Sequence, residues 1–243
     1  MLFIVATPIG NLGDLSSRAA DTLRKVQTVL AEDTRVTRKL LAHLDAHPDL
    51  ERFDEHTAYA KTPALVKRLQ KGEHIALVSD AGTPTISDPG AVLIDAVREA
   101  GLAITIIPGP SAVVAALVAS GFPADSFYFG GFLPRKEKAQ RDALDALVDL
   151  DTTLVFYESP RRLVRTLETC AAVLADERHG AVARELTKVH EEVVRGSLRE
   201  LAREFSAREG IKGEIVLIVA PPAKQPNTRV HIDKYGDKAN DRG

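Results

Sequence analysis

Ile75-Ala76-Leu77-Val78-Ser79-Asp80-Ala81-Gly82-Thr83-Pro84-Thr85-Ile86-Ser87-Asp88-Pro89-Gly90 is the stretch on which the fold turns. Its first four residues are an apolar run, as expected of a strand buried on both faces of a parallel sheet. The run stops at Ser79, and residues 79–84 read as a tight polar loop at the strand's carboxyl end. Ligands of open α/β sheets sit in the crevice outside such ends. Gly82 lets backbone approach a ligand closely, and Pro84 stiffens the loop. Asp88 then reads as an N-cap and Pro89 as the first residue of a helix running toward Ala100. An ordinary strand–loop–helix turn shows the same pattern, so this stretch by itself leaves both readings open.

Working outward, residues 2–6 and 103–107 are two more apolar strands. The first runs into Thr7-Pro8-Ile9-Gly10-Asn11-Leu12-Gly13-Asp14, the second into Pro108-Gly109-Pro110-Ser111. Leu15, Ala19, Leu23 and Val26 follow at helical spacing, with Asp14 or Ser16 as cap. Residues 110–120 are apolar nearly all round, which predicts a buried helix. Residues 29–31 read as a strand with Glu32 and Asp33 at its end, and Val36, Leu40, Leu41 and Leu44 as a helix. Residues 52–57 read as a polar edge strand, and Leu65, Val66 and Leu69 as a helix ending at Gly72. The alternation predicts an α/β domain with a parallel sheet over residues 1–122. Three Gly/Pro-rich strand-end loops converging on one crevice would make a ligand site.

Residues 121–124 read as a junction. Beyond them lie strands over 126–132, 154–157, 181–185, 192–195 and 214–220. Helical spacing links Leu144, Leu147 and Val148, then Leu163, Val164, Leu167, Ala171 and Leu174, then Leu198, Leu201, Ala202 and Phe205. The mixture lacks clean alternation, which predicts an α+β domain over 123–220. Residues 221–243 are polar and rich in Pro, Lys and Asp and read as a flexible tail.

At 243 residues, 44% apolar and 27% charged, the chain has the composition of a soluble globular protein. Its net charge of −2 gives no general pull toward nucleic acid, so any RNA contact must come from local basic patches. Cys170, the single cysteine, falls in an apolar helical pattern. It excludes a disulfide framework and points to a reducing, cytoplasmic setting. The apolar start is too short for a signal or membrane segment.

Several chemistries are excluded by missing motifs. There is no G-x-G-x-x-G, no phosphate-binding G-x-x-x-x-G-K-[S/T] and no G-x-S-x-G elbow. His43 and His47 stand at i, i+4, but Pro48 ends that helix and no third ligand is near, so no metal is expected. No Lys-Asp-Lys-Glu tetrad can be located, which speaks against a Rossmann-type ribose methyltransferase.

The loops at Thr7–Asp14, 79–84 and 108–111 occur in order with Ala31-Glu32-Asp33-Thr34-Arg35, Phe156-Tyr157-Glu158-Ser159-Pro160 and Ala183-Arg184-Glu185-Leu186-Thr187-Lys188. This ordered set, over about residues 1–220, resembles the tetrapyrrole methylase superfamily. More narrowly it resembles the ribosomal RNA branch that methylates a cytidine ribose 2′-oxygen in the decoding region of 16S RNA. The resemblance implies a two-domain α/β fold, S-adenosylmethionine, 16S RNA in the small ribosomal subunit as partner, and a homodimer. The chain has Gly82-Thr83-Pro84 where tetrapyrrole-modifying relatives have Gly-Asp-Pro, which points away from that branch. A tetrapyrrole methyltransferase and a non-catalytic ribosome-assembly protein are the alternatives.

By the same resemblance the cofactor would touch Pro8, Asp80, Ala81, Gly82, Thr83, Ile86, Ser111 and Ala112 from the first domain. The second would add Tyr157, Leu186, Gly213 and Ile215. Glu32, Asp33, Glu158 and Lys188 are the candidate bases, each with a structural ion pair to Arg35, Arg161 or Arg184 as the competing role. Lys188 would need a depressed pKa to serve. Arg35, Arg38 and Lys39 share one helix face, and Arg135, Lys136, Lys138 and Arg141 form a basic stretch beside the junction. With Arg161 they are the candidate RNA contacts, and solvated helix faces are the competing explanation.

Overall fold

A computed structural model of the chain describes residues 1–86 and 90–223. The first half alternates strands and helices: β1 (Leu2–Val5), α1 (Ser17–Lys25), β2 (Thr28–Ala31), α2 (Thr34–His43), β3 (Asp49–Arg52), α3 (Glu55–Gln70), β4 (Ile75–Val78), α4 (Ala91–Glu99), β5 (Ile104–Ile107) and α5 (Ala112–Ser120). The strands form one sheet in the order β3-β2-β4-β1-β5, and each paired neighbour is parallel. Alternate side chains go to opposite faces. Leu2, Ile4, Leu30, Ile75 and Leu77 pack with Leu65, Leu69, Leu93 and Val97 from α3 and α4. Val5, Val29, Ala31, Ala76 and Val78 pack with Leu23, Leu40 and Leu41 from α1 and α2. Each of these large side chains contributes about 1.5–3 kcal/mol on burial.

The second half contains β6 (Phe127–Phe132), α6 (Glu137–Asp145), β7 (Thr153–Glu158), α7 (Leu163–Leu174), β8 (His179–Arg184), β9 (Glu192–Ser197), α8 (Leu198–Ser206) and β10 (Ile215–Val219). Its sheet runs β6-β7-β10-β8-β9; β6 is parallel to β7 and the other pairs are antiparallel. One face carries α6, α7 and α8 through Leu144, Leu163, Leu167, Leu198, Leu201 and Phe205. The other face takes α5, whose Val113, Ala116 and Leu117 pack on Val155, Ala181, Ala183, Val216 and Ile218. The last helix of the first alternation thus seats itself on the second sheet. This is the α/β plus α+β architecture expected from the sequence.

Several elements differ from their sequence reading. The edge strand lies at Asp49–Arg52, not over 52–57, because Asp54 ends it as the N-cap of α3. The Asp54 carboxylate accepts the Thr57 N–H at 2.9 Å and the Thr57 hydroxyl accepts the Asp54 N–H at 3.0 Å, a capping box. Ser16, of the two proposed caps, caps α1 by accepting the Ala19 N–H at 3.1 Å. Val36 faces outward and Thr37 takes its inward place. The helix α5 is buried on one side only; Val114 and Val118 are 52% and 72% exposed. An all-apolar helix cannot reveal from its own residues which side a neighbour leaves open. The cap at Asp88 and Pro89 lies outside the described residues, as does the tail from 224 onward.

Cys170 is fully buried in α7, where desolvation pushes its thiol up to about 12. Among the described residues no helix is long and apolar enough to cross a membrane.

Candidate active site

The carboxyl ends of β1, β2, β4 and β5 gather at one edge of the first sheet, and their loops are tied together. The Thr7 N–H donates to the Gly82 carbonyl at 2.9 Å, and the Gly82 N–H returns to the Thr7 carbonyl at 3.1 Å. The Thr7 hydroxyl donates to the Ser79 carbonyl at 3.0 Å, and that of Thr83 to the Pro110 carbonyl at 3.3 Å. Asp80 Oδ1 accepts the Asp33 N–H at 3.0 Å, joining β4 to β2. Gly82 has φ +83°, and a Cβ there would stand 3.2 Å from Ile9 and 3.5 Å from the Pro110 carbonyl. Its glycine therefore serves an approach of loop to loop, where the sequence suggested an approach to ligand.

Against this edge stand the ends of β7 and β8 and the start of β10 in the second sheet. The antiparallel pairing of β10 with both neighbours brings these three points to one side. Between the two edges is a cleft of ≈ 410 Å³. Of the residues proposed for the cofactor, Asp80, Ala81, Ile86, Ala112, Tyr157, Leu186, Gly213 and Ile215 border it. Pro8, Gly82, Thr83 and Ser111 do not. Gly82 and Thr83 act as ties between the loops, and Ser111 occupies the N-cap position of α5.

Residues not singled out by sequence complete the wall. Ile9, Ser79, Ser159 and Pro160 lie inside the quoted motifs, so their motif membership was the available signal. Glu214 lies between Gly213 and Ile215, both proposed for the cofactor, and Phe132 had no such signal. Phe132 reaches the cleft because the β6–β7 register shifts between Phe129 and Phe132. Its ring meets that of Tyr157 at 5.5 Å between centroids.

The four candidate bases separate clearly. Glu32 borders the cleft with Asp80. Asp33 is the N-cap of α2 and an ion pair with Arg35 at 2.6 Å; hydrogen bonds from Arg35 hold its carboxyl down to about 2. Glu158 is buried, with Oε1 accepting the Ser159 N–H at 2.7 Å and Oε2 accepting the Thr166 hydroxyl at 2.6 Å. Its cationic partner is Arg162, at 3.3 Å, not Arg161. One helical turn places residue i+4 beside a strand-end carboxylate, whereas Arg161 faces solvent. Lys188 lies between Glu185 at 2.7 Å and Glu214 at 3.1 Å. Burial acts to lower its pKa, but the two carboxylates outweigh burial and raise it. The depressed value that a lysine base requires is therefore absent.

The loop carrying Lys188 is held in an unusual backbone. Glu185 and Thr187 have φ +52° and +67°. Gly213 packs so closely on Glu185 that any side chain there would overlap it. Non-glycine residues at positive φ persist where surrounding structure over-determines them, commonly at functional sites.

The basic residues lie outside the cleft. Arg135, Lys136 and Lys138 are exposed at the start of α6. Arg141 is partly neutralised by Glu137 at 3.6 Å, and Glu137 also pairs with Arg165 at 2.8 Å. On α2, Arg38 and Lys39 are exposed. Among the described residues no three His, Cys, Asp or Glu side chains gather into a metal site.

A parallel sheet and a mixed sheet closing a cleft between strand ends define a class. The chain belongs to the tetrapyrrole methylase family, whose model, Tetrapyrrole (Corrin/Porphyrin) Methylases, matches residues 1–202. Within it, the chain is 45% identical to the ribosomal RNA small subunit methyltransferase I of Mesorhizobium japonicum, over 96% of this chain and 79% of that one. It is 47% identical to the protein so named in Xylella fastidiosa, over 94% and 84%, and 47% identical to that of Escherichia coli O157:H7, over 90% and 77%. Among solved structures it superposes on the methyltransferase CobJ with a TM-score of 0.68 at 20% identity, covering 91% and 94% of the two chains. On diphthine synthase the TM-score is 0.70 at 15% identity, covering 90% of each. On uroporphyrin-III C-methyltransferase from Thermus thermophilus, complexed with S-adenosylhomocysteine, it is 0.63 at 16% identity, covering 90% and 96%. These structural likenesses establish the fold.

Proposed function

We propose that the protein methylates the ribose 2′-hydroxyl of a cytidine in the decoding region of small-subunit (16S) ribosomal RNA. The observation that carries the reading is the 45–47% identity, over at least 90% of the chain, to proteins named ribosomal RNA small subunit methyltransferase I. The cofactor is S-adenosylmethionine, the methyl donor of this family.

The residues present fit that cofactor. A cleft of ≈ 410 Å³ is of ordinary size for such a ligand. Ile9, Leu186 and Ile215 offer apolar wall to an adenine, while Glu32 and Asp80 offer negative charge to an ammonium or sulfonium centre. When bound, the cofactor supplies an electrophilic methyl group. Phosphate suits the acidic cleft poorly, so the RNA backbone is held outside it, by Arg135, Lys136 and Lys138 and by Arg38, Lys39 and Arg161. Alignment of the ribose supplies much of the rate. Glu32, which borders the cleft beside Asp80, is the proton acceptor in this reading.

The protein works as a homodimer in the cytoplasm. Support for self-association comes from Ile106, Val114 and Val118, 53%, 52% and 72% exposed on the consecutive elements β5 and α5. The test of the function is incubation of unmodified small ribosomal subunits with methyl-labelled S-adenosylmethionine. Label is expected in the RNA; label confined to protein, or none, overturns the reading.

A further inference from the structure

We propose that Arg162, with Glu158, is a positioning pair that fixes the basic loop 133–136 against the cofactor cleft. The inference rests on the reading above that RNA is the substrate. Glu158 ends β7, and with Tyr157 it forms part of the cleft wall. Its side chain is 0% exposed. Arg162 presents Nε to Glu158 Oε1 at 3.3 Å. Its Nη2 donates to the carbonyl of Leu133 at 2.8 Å and to that of Pro134 at 3.2 Å. One guanidinium thus links the cleft wall to the two residues immediately before Arg135 and Lys136.

The loop is gripped from other directions as well. The Leu133 side chain is buried in the core of the second sheet, and Pro134 fixes its own φ. Glu158 Oε2 accepts the Thr166 hydroxyl at 2.6 Å, and Thr166 accepts from Gln140 Nε2 at 3.1 Å. Gln140 is 3% exposed and belongs to α6, the helix that carries Lys138. Glu158 therefore connects the cleft wall to both ends of the basic segment.

Stability alone does not account for this arrangement. Burying an ion pair costs desolvation that the attraction often fails to recover, and apolar replacements are commonly as stable. What the pair supplies is direction. A planar guanidinium that pairs with a carboxylate through Nε while Nη2 donates to two carbonyls holds a fixed geometry, which a lysine cannot reproduce. Displacement of reacting groups by an ångström costs orders of magnitude in rate. Arg162 does not border the cleft, so it acts through the loop and not on the reacting atoms. The competing account is local: Arg162 occupies the N-cap position of α7 and pairs with Glu158 at i, i+4 merely to start that helix.

The two accounts differ in what an arginine change does to RNA and cofactor separately. Arg162→Lys keeps a cation beside Glu158 and loses the fixed geometry; Arg162→Ala loses both. For each, the KM for small ribosomal subunits, kcat and the affinity for S-adenosylhomocysteine are measured on the full chain. Positioning predicts a KM raised about tenfold in Arg162→Ala and about threefold in Arg162→Lys, with the product affinity within about twofold of wild type. If Arg162→Ala does not fold, Arg162→Lys decides alone. A folded Arg162→Lys with wild-type KM overturns the proposal, as does a loss of product affinity equal to the rise in KM. When the wild type labels ribosomal RNA and the variants match it, this inference alone fails. When the wild type labels none, the substrate reading fails and takes this one with it.

Discussion

Thr7 and Gly82 exchange two backbone hydrogen bonds, 2.9 and 3.1 Å long, across the carboxyl ends of β1 and β4. This contact closes the floor under the cleft and sets Ile9, two residues beyond Thr7, into its wall. Gly82→Val would put a β-branched residue at φ +83° with its Cβ 3.2 Å from Ile9. Such strain costs about 1–3 kcal/mol, and relief by moving Ile9 alters the cleft. The expected result is a folded, destabilised variant whose S-adenosylmethionine affinity falls by about tenfold in calorimetry. Wild-type affinity would show that the loop floor does not shape the ligand site.

Glu32→Gln should lower kcat by about 10²-fold or more, the usual effect of removing a proton acceptor. Single-turnover kinetics with saturating cofactor measures this. An undiminished rate would remove Glu32 from the chemistry.

Lys188 gives the opposite expectation. Its pKa is raised, since Glu185 and Glu214 outweigh the effect of burial, so it stays protonated throughout the neutral range. Lys188→Gln should lower thermal stability by leaving Glu185 short of its partner. The pH–rate profile between about pH 6 and 9 should keep its shape. Loss of a titrating limb in the variant would return Lys188 to the list of bases.

The acid limb of stability is set by carboxylates held below their ordinary values. For Asp33 the hydrogen bonds from Arg35 bring the folded pKa to about 2, against 3.8. A lowered folded pKa means that the unfolded chain takes up the proton first, so the stability it confers is complete above pH 3.8 and is lost as pH falls toward 2. The melting temperature of Asp33→Asn should therefore lie below that of wild type at neutral pH. The gap should close as pH drops from about 4 to 2. A gap that widens on acidification would contradict the ion pair with Arg35.

Changing Arg135, Lys136 and Lys138 to Ala should weaken binding to small ribosomal subunits and flatten its salt dependence. Three neutralised phosphates on single-stranded RNA correspond to about two units of the logarithmic slope. Cofactor affinity should hold. An unchanged slope would make the start of α6 a solvated surface.

Much of the architecture was legible in the sequence, for a definite reason. Strands such as Ile75–Val78 are buried on both faces, so their composition alone marks them. The edge strand Asp49–Arg52 was displaced in the reading because its residues are polar and the stronger signal was the Asp54–Thr57 cap. The cleft's motif loops could be read, since Gly and Pro mark unusual backbone wherever they occur. The roles inside the loops could not. Gly82 packs its loop against Ile9 and the Pro110 carbonyl, and Glu158 pairs with Arg162, not Arg161, because such choices depend on which side of a turn each residue occupies. Phe132 was invisible as a cleft residue because a register shift in β6 brings it there.

The most direct test locates the methyl group. Unmodified small ribosomal subunits are incubated with the protein and methyl-labelled S-adenosylmethionine, and the RNA is digested to nucleosides and analysed by mass spectrometry. The expected result is one labelled nucleoside, a cytidine whose added mass lies on the ribose, mapping to the decoding region. Label on a base, label on another nucleoside, or transfer to a tetrapyrrole with none to RNA would contradict the account.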